Sequence, residues 1–203
     1  MNALIIVDIQ NDFLPGGALA VANGDTVIPV INKLQNKFDL VVATQDWHPA
    51  DHKSFASTHP GKKLFEEIML DGIPQMLWPE HCMQETTGAQ FSSLLSTKRI
   101  EAIFRKGMEK NIDSYSGFFD NGKKKATGMA DYLKGRGVTG IFVTGLAADY
   151  CVYFTALDGL ELGFESTIIS DATLPINEEN FNQEMKEFVR RGGRLIKSNF
   201  CFA

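Results

Sequence analysis

Asp8, Lys106 and Cys151 are the residues of this 203-residue chain whose types could together do covalent chemistry. A cysteine thiolate is the nucleophilic form, and an ammonium or a helix N-terminus beside it favours that form. A carboxylate in reach can take the thiol proton and later deliver it to a leaving amine. Backbone N–H groups over Ala147 to Cys151 could then hold the oxyanion formed by attack on a carbonyl. Taken singly, each residue has a plainer reading. Asp8 could cap a strand end, Lys106 could be a solvated lysine, and Cys151 could be a small buried hydrophobe, as most free cysteines are.

A second constellation lies between about residues 46 and 84. Asp46-Trp47-His48 puts a carboxylate and an imidazole two residues apart, His52 and His59 follow, and Trp78-Pro79-Glu80-His81-Cys82 supplies another imidazole. All four histidines of the chain fall in this stretch. A carboxylate with imidazoles suits zinc, iron or manganese. His48 and His52 are four apart, but Pro49 and the lack of helical periodicity argue against a helical ligand pair. His59 is read as an ordinary surface or hydrogen-bonded residue.

These residues need elements to bring them together. Leu4-Ile5-Ile6-Val7 is a continuous apolar run, the pattern of a strand buried on both faces. Asp25 or Thr26 can cap a helix whose apolar face is Val27, Val30, Ile31, Leu34 and Phe38. Leu40 to Ala43 reads as the second strand, Ala102 to Phe104 as the third, Ile141 to Thr144 as the fourth, Ser166 to Ser170 as the fifth and Leu195-Ile196 as a sixth. Helical patterns run over Thr127 to Arg136, Ala148 to Leu162 and Glu178 to Arg191. Alternating β and α elements imply a three-layer αβα fold around a mostly parallel six-stranded sheet, Rossmann-like in architecture. Sites in such sheets form beyond the carboxyl ends of the strands. Asp8, Asp46, Lys106 and Cys151 each follow a strand in this reading, which is the main reason to place them in one site. The long stretch from Asp46 to Gln84, with four prolines, reads as a functional loop insertion in a single domain over residues 1–203.

Composition narrows the partners. Hydrophobic residues make up 44% and charged residues 22%, an ordinary globular balance. With a net charge of −5 and only short basic clusters such as Lys123-Lys124-Lys125, no nucleic-acid or anionic-membrane partner is expected. No basic leader and no apolar run long enough to span a bilayer is read. Cys82, Cys151 and Cys201 are odd in number and widely spaced, which suggests free thiols in a reducing, cytoplasmic setting. Cys201, in the tail, is read as inert. Gly135-Arg136-Gly137-Val138-Thr139-Gly140 has dinucleotide-fingerprint spacing but follows a helix and precedes a strand, the reverse of the required context. It reads as a helix stop and turn. A small-molecule substrate is expected, and monomer and homo-oligomer are both compatible with the sequence.

Six segments resemble the nicotinamidases of the isochorismatase-like superfamily of cysteine hydrolases. They are Val7-Asp8-Ile9-Gln10-Asn11-Asp12-Phe13, Gln45-Asp46-Trp47-His48-Pro49, Leu77 to Cys82, Arg105-Lys106-Gly107, Tyr115-Ser116-Gly117-Phe118 and Gly145-Leu146-Ala147-Ala148-Asp149-Tyr150-Cys151-Val152. They occur in the family's order across nearly the whole chain. The resemblance implies hydrolysis of nicotinamide to nicotinate and ammonia, with pyrazinamide also accepted. It implies Asp8, Lys106 and Cys151 as a triad, and Ala147 and Cys151 as the oxyanion hole, with a cis peptide before Ala147. It implies Asp46, His48 and His81 as ligands of one divalent metal ion, zinc first and iron or manganese as alternatives. His52 is left as a residue supporting those ligands from behind. Phe13 and Trp78 would sandwich the pyridine ring, with Leu19 and Tyr115 nearby. Competing readings are a carbamoyl or ureido hydrolase of the same superfamily, an isochorismatase (which lacks the nucleophilic cysteine), a silent pyridine-binding module, and a thiol oxidoreductase. The last lacks any C-x-x-C pair.

Overall fold

The computed structural model describes residues 1–200; Cys201 therefore lies outside the described residues. The chain opens with β1 (Asn2–Val7), passes a short 3-10 turn at Asn11–Phe13, and forms α1 (Ile28–Leu34), flanked by 3-10 turns. There follow β2 (Leu40–Asp46), a hairpin of β3 (Glu67–Leu70) and β4 (Ile73–Met76), and β5 (Ile100–Lys106). The second half is α2 (Met129–Gly135), β6 (Gly140–Leu146), α3 (Tyr153–Glu161), β7 (Glu165–Leu174), α4 (Glu178–Arg190) and β8 (Arg194–Ile196). Every pairing in the main sheet is parallel, and its strand order is β5-β2-β1-β6-β7-β8. The expected αβα architecture is thus present.

The sheet is sandwiched by two apolar layers, and alternation along the strands sends residues to each. Leu4, Ile6, Val41 and Ala43 face α1 and the segments carrying Phe13, Leu19, Trp78 and Ala89. Ala3, Ile5, Val7, Leu40 and Val42 face α2, α3 and α4 through Leu133, Ala156, Phe188 and their neighbours. One outer layer is therefore a single helix completed by loops, which is how loop-borne side chains come to lie against the sheet.

Strand order explains the site. From β1 the chain moves outward through β2 to β5, then returns to place β6 on the other side of β1. That reversal is a topological switch point, where a crevice opens beyond the carboxyl ends of the two diverging strands. Asp8 follows β1 directly, and Ala147 follows β6. Gly145, with φ +113°, lets β6 approach β1 there, since a Cβ at 145 would overlap the Val7 carbonyl.

Several boundaries differ from the sequence reading. β2 runs on through Thr44, Gln45 and Asp46, and β5 ends on Lys106, so both residues sit in the last strand position instead of beyond it. Polar residues concealed the extension, although all of β2 is buried. β7 likewise extends to Leu174. The helix expected from Ala148 begins as a π-helical turn, Ala148–Val152, before α3. The long stretch after Asp46 contains the β3–β4 hairpin, whose Asp71-Gly72 turn has both residues at positive φ. That is the geometry an Asp-Gly pair favours. Lys123, Lys124 and Lys125 are exposed and pair with Asp158 and Glu161, Asp71 and Glu109 respectively.

Candidate active site

Lys106 is the hub of the buried polar centre. Its ammonium lies 2.8 Å from Asp8 Oδ2 and 3.1 Å from Asp46 Oδ1, and it donates to the Ser114 carbonyl at 3.0 Å and to Cys151 Sγ at 3.4 Å. Burial opposes the charge, but Asp46 and Asp8 hold the ammonium well above the usual lysine range. Asp8 Oδ1 also accepts from Thr44 Oγ1 at 2.6 Å. Burial raises the Asp8 carboxyl, with Lys106 acting against it. Cys151 is 6% exposed, and burial pushes its thiol well above the usual range despite Lys106. Lys106 favours the thiolate as expected, but burial acts more strongly in the opposite direction. Desolvation dominates, and a base must take the proton.

Beside this group stands the second one. The Asp46 carboxylate is 3.0 Å from His48 Nε2 through Oδ2, and the same oxygen is 3.5 Å from His81 Nε2. His48 Nδ1 lies 2.8 Å from the Gly107 carbonyl and His81 Nδ1 lies 2.8 Å from the Pro79 carbonyl. A carbonyl only accepts, so both Nδ1 atoms carry the proton. In the neutral rings both Nε2 lone pairs then face a carboxylate oxygen. Such an arrangement calls for positive charge between the groups, either a proton on His48 or a metal ion. Burial opposes a charged His48, yet Asp46 raises its pKa. Burial would likewise raise Asp46, but His48 and Lys106 hold that carboxyl well below the usual range. Ligand atoms of Asp46, His48 and His81 all lie within 4.8 Å of one another, as a cation site requires.

Gly107 joins the two groups. It follows Lys106, adopts φ +65°, and a Cβ there would lie 2.7 Å from His48 Nδ1. No other residue type fits both the backbone angle and the ring.

One cleft connects the two groups. It holds about 330 Å³ including its open mouth, and its walls include Cys151 and Ala147 together with Asp46 and His81. Phe13, Leu19, Trp78 and Tyr115 line the same space, so all four expected ring-contacting residues are brought together. Trp78 Nε1 donates to the Tyr115 hydroxyl at 3.2 Å, which fixes one aromatic against the other. The Leu146–Ala147 peptide is cis, as the resemblance implies. His52 stands behind His48, ring centroids 4.3 Å apart. Its Nδ1 accepts from the Ser54 N–H at 3.2 Å, and burial lowers its pKa to about 4, a neutral imidazole. It forms a further possible ligand group with His48 and Asp113. His59 bonds the Lys53 carbonyl and joins neither group, and Cys82 is buried with its thiol pushed well up by burial.

Residues 2–200 match the Isochorismatase domain family. The chain belongs to that family. Among its relatives, the nicotinamidase of Escherichia coli is 48% identical over 180 residues, covering 87% of this chain and 84% of that one. A solved Acinetobacter baumanii nicotinamidase pyrazinamidase superposes with a TM-score of 0.96 at 46% identity, covering 98% and 96% of the two chains. The pyrazinamidase of Pyrococcus horikoshii, solved in complex with zinc, gives a TM-score of 0.79 at 38% identity, covering 97% and 98%.

This isochorismatase-family cleft also holds residues that sequence reasoning missed. Asp113 lines it, accepting from the Ser114 N–H at 2.7 Å and from Gln75 Nε2 at 3.1 Å. Tyr150 and Ile176 complete the wall. Ile176 is held by Asp149, whose carboxylate accepts from the N–H groups of Ile176 and Asn177, each at 2.8 Å. Asp113 has no periodic pattern around it, and Ile176 reads as a loop residue after a proline, so neither carried a signal.

Proposed function

We propose that this chain is a nicotinamidase, hydrolysing nicotinamide to nicotinate and ammonia through a Cys151 thioester, and that it also accepts pyrazinamide. The observation that carries the reading is one cleft lined by Cys151 and Ala147, by Asp46 and His81, and by the aromatic side chains of Phe13, Trp78 and Tyr115. Aromatic walls beside a thiol suit a flat ring bearing a carboxamide. The named relatives support the same substrate class.

Asp8 takes the Sγ proton as Sγ bonds to the carboxamide carbon, and Lys106 stabilises the developing thiolate and holds Asp8 in place. The N–H groups of Ala147 and Cys151 receive the oxyanion. As the C–N bond breaks, Asp8 gives its proton to the departing ammonia. Water then attacks the thioester and passes a proton to Asp8. Collapse of the second oxyanion breaks the C–S bond, and the proton returns to Sγ.

Asp46, His48 and His81 would hold a divalent metal, zinc first, and His52 would support His48 from behind without binding the ion itself. The facing lone pairs described above fit this group. When bound, the metal supplies a Lewis-acidic anchor for the pyridine nitrogen. Phe13, Leu19, Trp78 and Tyr115 bind the ring and exclude water. Residues 1–203 form one hydrolase domain in this reading, with the 46–84 segment as its metal-binding insertion. Among the described residues no helix is long and apolar enough to cross a membrane.

The test is ammonia release from nicotinamide, pyrazinamide and carbamoyl substrates, paired with elemental analysis of the purified protein. Rapid release from the two pyridine-type amides with bound metal is expected. Preference for a carbamoyl substrate by metal-free protein would overturn the reading.

A further inference from the structure

The two segments that carry the metal-ligand candidates are both held by the stretch that leaves β1. Gln10 is fully buried and grips the backbone of Asp46 on both sides. Its Oε1 accepts from the Asp46 N–H at 2.8 Å, and its Nε2 donates to the Asp46 carbonyl at 2.8 Å and to the Ala89 carbonyl at 2.8 Å. Two residues on, Asp12 Oδ2 accepts from the Cys82 N–H at 2.7 Å, and Oδ1 from the Ala18 N–H at 3.3 Å. Cys82 directly follows His81 and sits at φ +46°, an angle that needs local support in a non-glycine residue. Residue 88 is glycine where a Cβ would overlap the Asp12 carboxylate.

The pattern is more specific than general core packing requires. An apolar side chain at position 10 would fill the same space but take away the side-chain partner of the Asp46 N–H and carbonyl, while the Ala89 carbonyl would keep its bond from Gln45 Nε2 at 3.0 Å. A carboxamide is the side-chain group that offers an acceptor to the N–H of one residue and a two-hydrogen donor to that residue's carbonyl and to a carbonyl from a separate loop. The same short segment carries Asp8, so five consecutive residues register the proton acceptor against Asp46 and His81, which come from a distant strand and a distant loop.

We infer that Gln10 and Asp12 are positioning residues for the metal centre, Gln10 through the Asp46 backbone and Asp12 through the backbone after His81. The inference rests on the metal reading of Asp46, His48 and His81. Groups of this kind behind metal ligands are worth about 10–100-fold in metal affinity.

The experiment uses the full chain and compares Gln10→Met, Asp12→Ala and Asp12→Asn with the unaltered protein. Zinc affinity is read by competition with a chromophoric chelator, ligand geometry by the absorption spectrum of the cobalt-substituted protein, and folding by circular dichroism and thermal melting. Gln10→Met and Asp12→Ala should each lose about 10–100-fold in zinc affinity and change the cobalt spectrum. Asp12→Asn keeps an acceptor oxygen and should recover most of the loss. Folded Gln10→Met and Asp12→Ala proteins with unaltered affinity and spectrum would overturn the inference while leaving the metal reading intact. If the unaltered protein takes up neither zinc nor cobalt, the metal reading itself fails and this inference with it. Should Gln10→Met not fold, the Asp12→Ala and Asp12→Asn pair decides by the same criteria.

Discussion

The Asp8, Lys106 and Cys151 group and the Asp46, His48 and His81 group share one cleft but are built differently. The first has Asp8 and Lys106 at the ends of two strands of one parallel sheet and Cys151 in the helical turn that follows β6, with Lys106 2% exposed and reaching Asp8, Asp46 and Sγ together. The second has only Asp46 on the sheet. His48 and His81 come from irregular backbone and are oriented by single carbonyls, those of Gly107 and Pro79. A sheet fixes side chains by register, so its group needs few auxiliary bonds. A loop has no register, and its group depends on glycine clearances, turn geometry and buried amides. In the proposed reaction the chemistry would fall to the group anchored on the sheet, and substrate selection to the group that loop changes can alter.

Removing the proposed nucleophile separates the two most sharply. Cys151→Ala should lower ammonia release by about 10⁴-fold or more while metal content and melting temperature stay near those of the unaltered protein. Substantial residual turnover would sink the thioester route. Lys106→Met is next, because it leaves two buried carboxylates without their cation. Chemical denaturation should show a loss of about 3–5 kcal/mol, with activity falling as well. A small stability change would mean that Asp8 takes up a proton readily enough to replace the lysine.

Gly107→Ala probes the joint between the groups. The strained backbone alone should cost more than about 1 kcal/mol, and the clash with His48 should reduce zinc uptake before it affects the sheet-borne group. Equal damage to thiol alkylation rate and zinc affinity would show that the groups are not separable.

Glu184→Gln is a control away from both groups and should have the smallest effect. Burial, then Asp149, raises the Glu184 carboxyl to about 8 from 4.5. The folded state therefore holds this proton more tightly than the unfolded chain does. Its contribution to stability is fully present below about pH 4.5 and is lost as pH rises through about 8. The variant should match the unaltered protein at low pH and melt higher than it above pH 8. A constant offset across the pH range would show that Glu184 does not titrate in this way.

The strand cores, the helical faces and the candidate residues that the fold brings into one cleft were legible because hydrophobic periodicity and residue chemistry are local properties. The ends of β2 and β5 were not, since Thr44, Gln45, Asp46 and Lys106 are polar and their burial depends on partners from elsewhere in the chain. The hairpin went unread because the stretch around its Asp71-Gly72 turn is mostly exposed and includes Pro74.

By itself the sequence determined an alternating α/β chain, a cysteine, lysine and carboxylate set at strand ends, and a histidine-bearing loop. Tertiary structure decided that β1 and β6 lie side by side, which brings Asp8 and Cys151 to one crevice. It also decided that burial raises the Cys151 thiol against the pull of the nearby ammonium, and no residue pattern states how deeply a side chain will be buried. Tautomers, clearances and the grip of Gln10 on Asp46 belong to the same class, since each depends on which distant carbonyl or N–H the fold places within hydrogen-bonding distance.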